Sequence, residues 1–260
     1  MISDEKISRY ENWNRRSRAY LERVRKEAPD AASEWRLLEM LDSTIAPYRP
    51  TYELPPEGLS EFYRSLQDAK LGRLGIPTLI DIGIDGFLHK AEALKLYEMA
   101  YHGTGDVLEL GTHKGLSTSI IARALQDRGS GRLETIDIDE ATNPIARQTL
   151  AELPCGERVN FILADAAVGM DELTRKGAQF DFIFVDHWHG YGATFLAAKR
   201  MPSLLSVGGY VMFHDFFDPA NADPEHVYGV NQAVVDAFGS DKRFMFAGAM
   251  GSSALFVRSA

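Results

Sequence analysis

The sequence of 260 residues contains a single cysteine, no long apolar run and no cluster of basic residues. Cys155 cannot form an internal disulfide, and no set of Cys and His has zinc-finger spacing, so we expect a reducing compartment. No stretch reaches the roughly 18 consecutive apolar residues of a membrane-spanning helix. The first twenty residues also lack the apolar core of a secretory signal. These absences predict a cytoplasmic protein with no membrane partner.

The charge balance argues against a nucleic-acid partner. The chain has 28 Lys and Arg against 37 Asp and Glu, a net charge of -9. Proteins that bind a phosphate backbone usually carry a basic patch, and this sequence offers none. Its length and apolar content suit one α/β domain with an appendage, whose partner is then expected to be a small molecule.

Residues 1–86 predict a helical extension. Apolar residues within 7–24 and 35–45 recur at helical spacing, and a proline-rich connector follows at 47–58. Ser60 is expected to cap a short helix that ends near Gly72, and residues 75–86 look irregular. The extension either packs on the main domain, closes over a substrate pocket as a lid, or forms a homo-oligomer arm through its helices.

The most informative stretch lies between a predicted strand at 107–110 and a helix that begins at Leu116. The spacing Glu109-x-Gly111-x-x-x-Gly115 places two glycines where the backbone turns from strand to helix. Glycine permits a tight turn and close approach of a ligand, while the first N–H groups of a helix attract polar or anionic groups. The dinucleotide fingerprint needs a third glycine that is missing here. Ser117 is expected to support this cradle.

Strand and helix patterns alternate downstream of that helix. Strands are predicted at 133–138, 159–164, 180–185 and 209–213, and helices at 89–101, 145–153, 170–176, 194–201 and 229–238. Such alternation implies a parallel sheet covered on both faces. The last two strands, 243–247 and 254–257, are joined so closely that they must form an antiparallel hairpin.

Acidic residues stand at the carboxyl ends of the predicted strands at 133–138 and 159–164. Because ligands bind beyond the carboxyl ends of parallel strands, Asp137 is a candidate acceptor for ribose hydroxyls, with Asp139 as its competitor. Asp165 and the adjacent Ala166 are candidates for reading an adenine edge. Each acid has a plainer alternative: Asp137 caps the next loop, and Asp165 caps the next helix.

Three more polar residues follow the next two strands. Asp186 ends one strand, and His214 with Asp215 ends its neighbour, so the three should converge beside the cofactor. Two carboxylates and an imidazole suit a divalent cation, with Mg²⁺ or Mn²⁺ favoured by oxygen ligands. Without a metal, His189 or His214 is the expected general base.

The glycine loop and the strand-end acids together resemble the class I S-adenosylmethionine (SAM) dependent methyltransferases. The resemblance implies a Rossmann-like α/β fold with a seven-stranded, mostly parallel sheet in the order 3-2-1-4-5-7-6, formed by residues 87–260. It also implies SAM as cofactor. The positions that match the cofactor site of the family are Glu109, Gly111, Gly115, Ser117, Asp137, Asp165, Ala166 and Asp186.

A narrower resemblance rests on V-D-H-W-H-G-Y, whose second residue is Asp186, and on the G-G-x-x-x-F-H-D run that ends at Asp215. These are similar to signatures of the group related to cephalosporin-biosynthesis and macrolide-sugar O-methyltransferases. By this match Asp186 and Asp215 become metal candidates, while His189 and Tyr191 take the places of a signature histidine and tyrosine. The expected activity is O-methylation of a small molecule. An NAD(P)-dependent oxidoreductase and a non-catalytic scaffold are the alternatives.

Overall fold

The computed structural model describes residues 60–223 and 226–260. The predicted helices within 7–24 and 35–45 and the connector at 47–58 lie outside these residues. Within the described part of the chain, no helix is both long enough and apolar enough to cross a bilayer.

A seven-stranded sheet forms the centre of the structure. Its strands are β3 (Asp106–Leu110), β4 (Leu133–Asp137), β5 (Val159–Leu163), β6 (Phe180–Val185), β7 (Leu205–Phe213), β8 (Phe244–Met250) and β9 (Ser253–Arg258). They lie in the order β5-β4-β3-β6-β7-β9-β8. Strands β3 to β7 pair in parallel, whereas β9 is antiparallel to both β7 and β8. This is the predicted order, and the terminal hairpin is confirmed.

Helices cover both faces of the sheet. They are α1 (Glu61–Asp68), α2 (Lys90–His102), α3 (Leu116–Arg128), α4 (Asn143–Ala151), α5 (Ala166–Arg175), α6 (Tyr191–Leu204) and α7 (Val230–Phe238). Alternate residues of β6 supply two separate cores. Phe182 and Phe184 pack with α1, α2 and α3, while Ile183 and Val185 pack with α5, α6 and α7. A strand buried on both faces must be apolar throughout, as this one is.

Three local predictions differ from the structure. The segment at 75–86 is not wholly irregular, because a two-stranded antiparallel ribbon, β1 (Lys70–Leu71) and β2 (Ile80–Asp81), folds across it. Helix α5 begins at Ala166, four residues before the predicted start, because Asp165 caps it. Strand β7 begins at Leu205, four residues before the predicted start at 209, and its pairing with β6 is irregular there, with Gly208 at φ 85°.

The topology brings several chain segments to one edge of the sheet. The carboxyl ends of β3 to β7 meet there because these strands are parallel. Strand β9 runs the other way, so its first residues lie beside the last residues of β7, with Ala254 paired to Phe213. The hairpin turn at Gly251 and Ser252 therefore joins the same edge as the predicted site.

Candidate active site

A cavity of about 800 Å³ opens at this edge of the sheet. This size is typical of small-molecule sites. Eight of the predicted site residues line it: Gly111, Ser117, Asp137, Asp165, Ala166, Asp186, His214 and Asp215; the expected base His189 does so as well. Glu109 and Gly115 do not line it.

Both glycines of the glycine loop, residues 111–115, have a positive φ and no space for a Cβ. Gly111 has φ 96°, and a Cβ there would lie 2.1 Å from the carbonyl oxygen of Asp186. Gly115 has φ 93°, and its Cβ would lie 2.8 Å from Leu150. Gly111 thus lets β3 and β6 end side by side at the cavity. Gly115 acts behind the cavity wall, where it starts α3 and packs against α4.

Glu109 supports the loop from inside the protein and does not face the cavity. Its carboxylate is fully buried and accepts hydrogen bonds from the hydroxyls of Ser117, Thr118 and Thr135, each at 2.6 Å. Burial raises the pKa of Glu109 to about 7, although the three hydroxyls partly oppose the shift. The geometry gives Glu109 a bracing role and corrects the expectation of direct cofactor contact.

Asp137 ties the glycine loop to the end of β4. Its Oδ2 accepts the backbone N–H groups of Thr112 at 2.8 Å and His113 at 2.7 Å, and its Oδ1 accepts that of Asp139 at 2.8 Å. Asp139 is exposed and accepts the N–H of Ala141. Both acids line the cavity. The ribose role of Asp137 therefore remains a prediction, while its loop-capping role is observed.

Asp165 caps α5. Its Oδ1 accepts the N–H groups of Ala167 at 2.9 Å and Val168 at 3.2 Å. Together with Ala164 and Ala166 it also forms part of the cavity wall. The capping alternative is thus present in the structure, and the carboxylate sits where a base edge could reach it.

Asp186, His214 and Asp215 lie together as predicted, and His189 joins them. These four residues are called here the carboxylate–histidine cluster. His214 Nδ1 lies 2.8 Å from Asp186 Oδ1 and 3.3 Å from Asp215 Oδ1. His189 Nε2 lies 3.3 Å from both Asp186 Oδ1 and Asp215 Oδ2. Asp215 adopts φ 54°, a left-handed conformation that is costly for a residue with a side chain and that is often found at functional sites.

The carboxylates favour protonated histidines in the cluster. Burial by itself lowers the pKa of His214, but Asp186, Asp215 and Glu92 together raise that pKa well above its usual value. Burial opposes a similar rise at His189, whose pKa is nevertheless raised by Asp186 and Asp215. Any role that needs a free ring nitrogen must therefore displace a proton first.

Glu92 is a member of the site that the sequence reasoning missed. It lies in the first turn of α2, is fully buried, and places Oε2 3.3 Å from His214 Nε2. Ser252 and Ser253 in the β8–β9 hairpin donate their hydroxyls to Oε1 at 2.8 and 2.9 Å. Although burial opposes ionisation, His214 and His89 lower the pKa of Glu92 to about 2. An acid three residues after a helix start was the available signal.

Tyr228 and Asp218 were also missed. The Tyr228 ring stacks on His189 with centroids 4.7 Å apart. Asp218 lines the cavity, where burial and the nearby Asp215 raise its pKa to about 6. By contrast, Tyr191, which occupies the signature position, lies outside the cavity lining and donates its hydroxyl to Asp236 at 2.9 Å. Tyr228 is therefore the tyrosine that contacts the cluster.

The rim of the cavity is apolar and exposed. Trp188 is 67% exposed and Phe87 is 57% exposed, and both line the opening. His187, next to Trp188, places Nδ1 3.0 Å from the Trp188 carbonyl oxygen, and burial lowers its pKa. Large exposed aromatic side chains beside a cavity suit contact with an organic acceptor.

The cluster also fits a divalent cation. Ligand atoms of Asp186, His189 and His214 all lie within 4.8 Å of one another. Both ring nitrogens of His214 are buried, and although carboxylates are near, neither makes a hydrogen bond of acceptable geometry. Buried polar atoms are nearly always partnered, so a nitrogen in this state points to a missing ligand. Asp215 lies outside the group of three and flanks the histidines.

Comparison with known proteins agrees with this geometry. A family model described as a methyltransferase domain matches residues 108–216. Tapetum-specific methyltransferase 1 of Arabidopsis thaliana is 26% identical over 183 residues, which are 68% of this chain and 75% of that protein. A putative caffeoyl-CoA O-methyltransferase of Arabidopsis thaliana is 26% identical over 137 residues, 50% of this chain and 57% of that protein.

A solved structure extends the likeness to the fold. The SAM complex of the O-methyltransferase TomG from Streptomyces achromogenes, an enzyme involved in tomaymycin synthesis, superposes with a TM-score of 0.54 at 20% identity. The match covers 81% of this chain and 92% of that protein. At this identity the likeness shows a shared Rossmann-like methyltransferase fold. Residues 108–216 thus match a methyltransferase domain and lie within a sheet and helices of that fold.

Proposed function

We propose that this protein is a SAM-dependent methyltransferase that transfers a methyl group to a hydroxyl oxygen of a small molecule. The observation that carries the proposal is that one cavity joins two kinds of groups. The glycine loop and the strand-end acids form one half, and the carboxylate–histidine cluster forms the other. The first half suits a nucleoside, and the second suits a hydroxyl that must lose its proton.

In the first half, Gly111 allows close approach, and Asp137 and Asp165 present carboxylates for the sugar and base. SAM would supply a methyl carbon that its sulfonium already makes electrophilic. The residues of this chain then have to align an acceptor oxygen behind that carbon and exclude water. The exposed Trp188 and Phe87 at the rim are placed to hold an organic acceptor.

The second half removes the proton of the acceptor by one of two routes. Once it has lost its own proton, His189 can accept the proton of the acceptor, since its ring lines the cavity and is less enclosed than that of His214. Alternatively, Asp186 and the histidines hold a divalent cation, which would lower the pKa of a bound hydroxyl. The structure contains side chains for either route.

The acceptor class and the domain division are also proposals. We place sugar and other natural-product hydroxyls first, because the residues around Asp186 and Asp215 resemble that group of O-methyltransferases. We assign residues 87–260 to the catalytic domain and 1–86 to an accessory segment. Ile76 and Leu79 of that segment contribute to the cavity wall, so it would help select the acceptor.

Calorimetric titration of the full chain with S-adenosylhomocysteine and with NAD⁺ and NADP⁺ tests the assignment. We expect micromolar binding of S-adenosylhomocysteine and none of the dinucleotides. Binding of a dinucleotide alone would favour the oxidoreductase. Binding of SAM without release of S-adenosylhomocysteine across a panel of sugar, phenol and catechol acceptors would favour the non-catalytic scaffold.

A further inference from the structure

Glu92 and the β8–β9 hairpin lie behind the cluster and have no role in either proton-removal route. Glu92 accepts hydrogen bonds from the backbone N–H of His89 at 2.7 Å and of Ser252 at 2.8 Å, in addition to the two serine hydroxyls. Its carboxylate is thus held by hydrogen bonds from two chain segments, the start of α2 and the β8–β9 hairpin. The only group of the cluster that it faces is His214.

We propose that Asp186, His189 and His214 form a site for a divalent transition-metal ion in preference to Mg²⁺, and that Glu92 is a positioning residue that orients His214 for it. The proposal deepens the proposed function and rests on it only for the use of the ion in methyl transfer. Binding of the ion can be measured without turnover.

The ligand chemistry decides the choice of ion. Two imidazoles and one carboxylate converge here, whereas Mg²⁺ prefers an all-oxygen shell. Imidazole suits Zn²⁺, Co²⁺, Fe²⁺ and Ni²⁺, and a two-histidine, one-carboxylate set with open positions is typical of such ions. The sequence predicted Mg²⁺ or Mn²⁺ because it counted Asp215 as a ligand and did not place His189 in the set.

The spacing of the three side chains agrees with this choice. Ligand atoms bound at about 2.1 Å around a tetrahedral ion are roughly 3.4 Å apart. His189 Nε2 lies 3.3 Å from Asp186 Oδ1, and His214 Nδ1 lies 2.8 Å from the same oxygen. Small side-chain rotations would therefore suffice to receive an ion between them.

The role of Glu92 follows from which nitrogen of His214 it faces. Nε2 lies 3.3 Å from Glu92 Oε2, and Nδ1 lies 2.8 Å from Asp186 Oδ1. A carboxylate that attracts the proton to Nε2 leaves the lone pair of Nδ1 free for the ion. Carboxylate–histidine–metal arrangements of this kind fix the ring and its tautomer, and losing the carboxylate typically weakens metal binding about 10- to 100-fold.

The test uses metal-stripped full-length protein, titrated with Co²⁺ by visible absorption and with Zn²⁺ and Mg²⁺ by calorimetry. We expect d–d bands of bound Co²⁺, and binding of Co²⁺ and Zn²⁺ at least about 100-fold tighter than that of Mg²⁺. His189→Ala, at the cavity side of the cluster, should remove the bands. Equal or tighter binding of Mg²⁺, or unchanged Co²⁺ binding in His189→Ala, would overturn the proposed ligand set.

Glu92→Gln tests the positioning role, with Glu98→Gln as its matched control. Both glutamates are fully buried on α2, but Glu98 pairs with Lys95 and accepts a hydrogen bond from the hydroxyl of Tyr63, and neither of these residues belongs to the cluster. We expect about 10- to 100-fold weaker Co²⁺ binding in Glu92→Gln and no change in Glu98→Gln. Equal Co²⁺ affinities in the two variants would refute the role of Glu92.

Two further measurements keep these outcomes separate. If Glu92→Gln does not fold by circular dichroism, Ser252→Ala replaces it, because it removes one hydroxyl that holds Glu92; unchanged Co²⁺ affinity there would refute the positioning role. S-adenosylhomocysteine is titrated in parallel. Intact nucleoside binding without Co²⁺ binding overturns the metal site alone, whereas Co²⁺ binding without nucleoside binding overturns the proposed function alone.

Discussion

The two halves of the cavity are built in different ways. The glycine-loop half uses short-range contacts, in which Asp137 and Asp165 bond to backbone N–H groups close by in the sheet edge or in the chain. The carboxylate–histidine half gathers side chains from the ends of β6 and β7, the start of α2 and the β8–β9 hairpin. One half is held by backbone geometry, and the other by charges that neutralise one another.

This difference predicts different sensitivities. In the glycine-loop half, adding a Cβ or removing a hydrogen-bond acceptor changes the conformation of the loop backbone. Such substitutions should therefore lower both the stability of the protein and its affinity for the nucleoside. In the carboxylate–histidine half, a substitution that removes a charge leaves the sheet edge intact. Such a substitution should reduce turnover while most of the affinity for the nucleoside remains. Four substitutions test this contrast.

Gly111→Ala should have the largest effect, since it disturbs both halves. The new Cβ would meet the backbone oxygen of Asp186 at 2.1 Å and would require φ 96°. We expect a loss of at least about 3 kcal/mol in the free energy of unfolding, measured by urea denaturation. Gly192→Ala, in open space on α6, is the control and should be neutral or stabilising. Equal stability of the two variants would contradict the close approach of β3 and β6.

Asp186→Asn should separate chemistry from nucleoside binding. Asp186 Oδ1 faces both His214 and His189, so its charge holds the cluster together. We expect turnover to fall about 100-fold or more, while S-adenosylhomocysteine affinity changes far less. Single-turnover kinetics and calorimetry measure the two. Asp236→Asn, on α7 away from the cavity, should leave turnover unchanged; a matching loss there would point to a general structural effect.

Asp137→Ala should weaken nucleoside binding more than Asp139→Ala does. Asp137 holds two N–H groups of the glycine loop, whereas Asp139 accepts only from its own loop among the bonds of the described residues. Charged hydrogen bonds of this kind contribute about 1.5–3 kcal/mol, so roughly a 10- to 100-fold loss of S-adenosylhomocysteine affinity is expected. A larger loss in Asp139→Ala would make that residue the sugar acceptor.

Asp165→Asn should have the smallest effect on stability. Asn caps a helix about as well as Asp, so the melting temperature should hardly change, whereas Asp165→Ala should cost about 1 kcal/mol. If Asp165 also contacts the base, Asp165→Asn will weaken S-adenosylhomocysteine binding without loss of stability. Unchanged affinity would leave helix capping as its whole role.

The glycine-loop half could be predicted because its signals are local. The strand, the two glycines and the following helix lie within one run of residues, and Asp137 and Asp165 directly follow their strands. Even in this half, the sequence does not predict the direction in which each side chain points. Glu109 points into the core, where it accepts hydrogen bonds from three hydroxyls, whereas the sequence pattern predicted contact with the ligand.

The metal-candidate half was predictable only in part. Parallel strands have their carboxyl ends at the same edge of the sheet, and this rule alone predicts that Asp186, His214 and Asp215 lie close together. Nothing local indicated that Glu92, more than a hundred residues earlier, would face His214, or that Tyr228 would stack on His189. Such contacts depend on how α2 and the hairpin pack against the sheet.

The sequence by itself determined the alternation of strands and helices, the antiparallel hairpin and the edge at which ligands bind, because apolar periodicity and strand polarity fix these features. The tertiary structure alone decided which acids face the cavity, and it alone grouped His189 and His214, rather than His214 and Asp215, with Asp186. The reason is that a buried carboxylate must be paired with hydrogen-bond donors, and tertiary packing determines which donors are near it. Here those donors come from segments that are far apart in the chain.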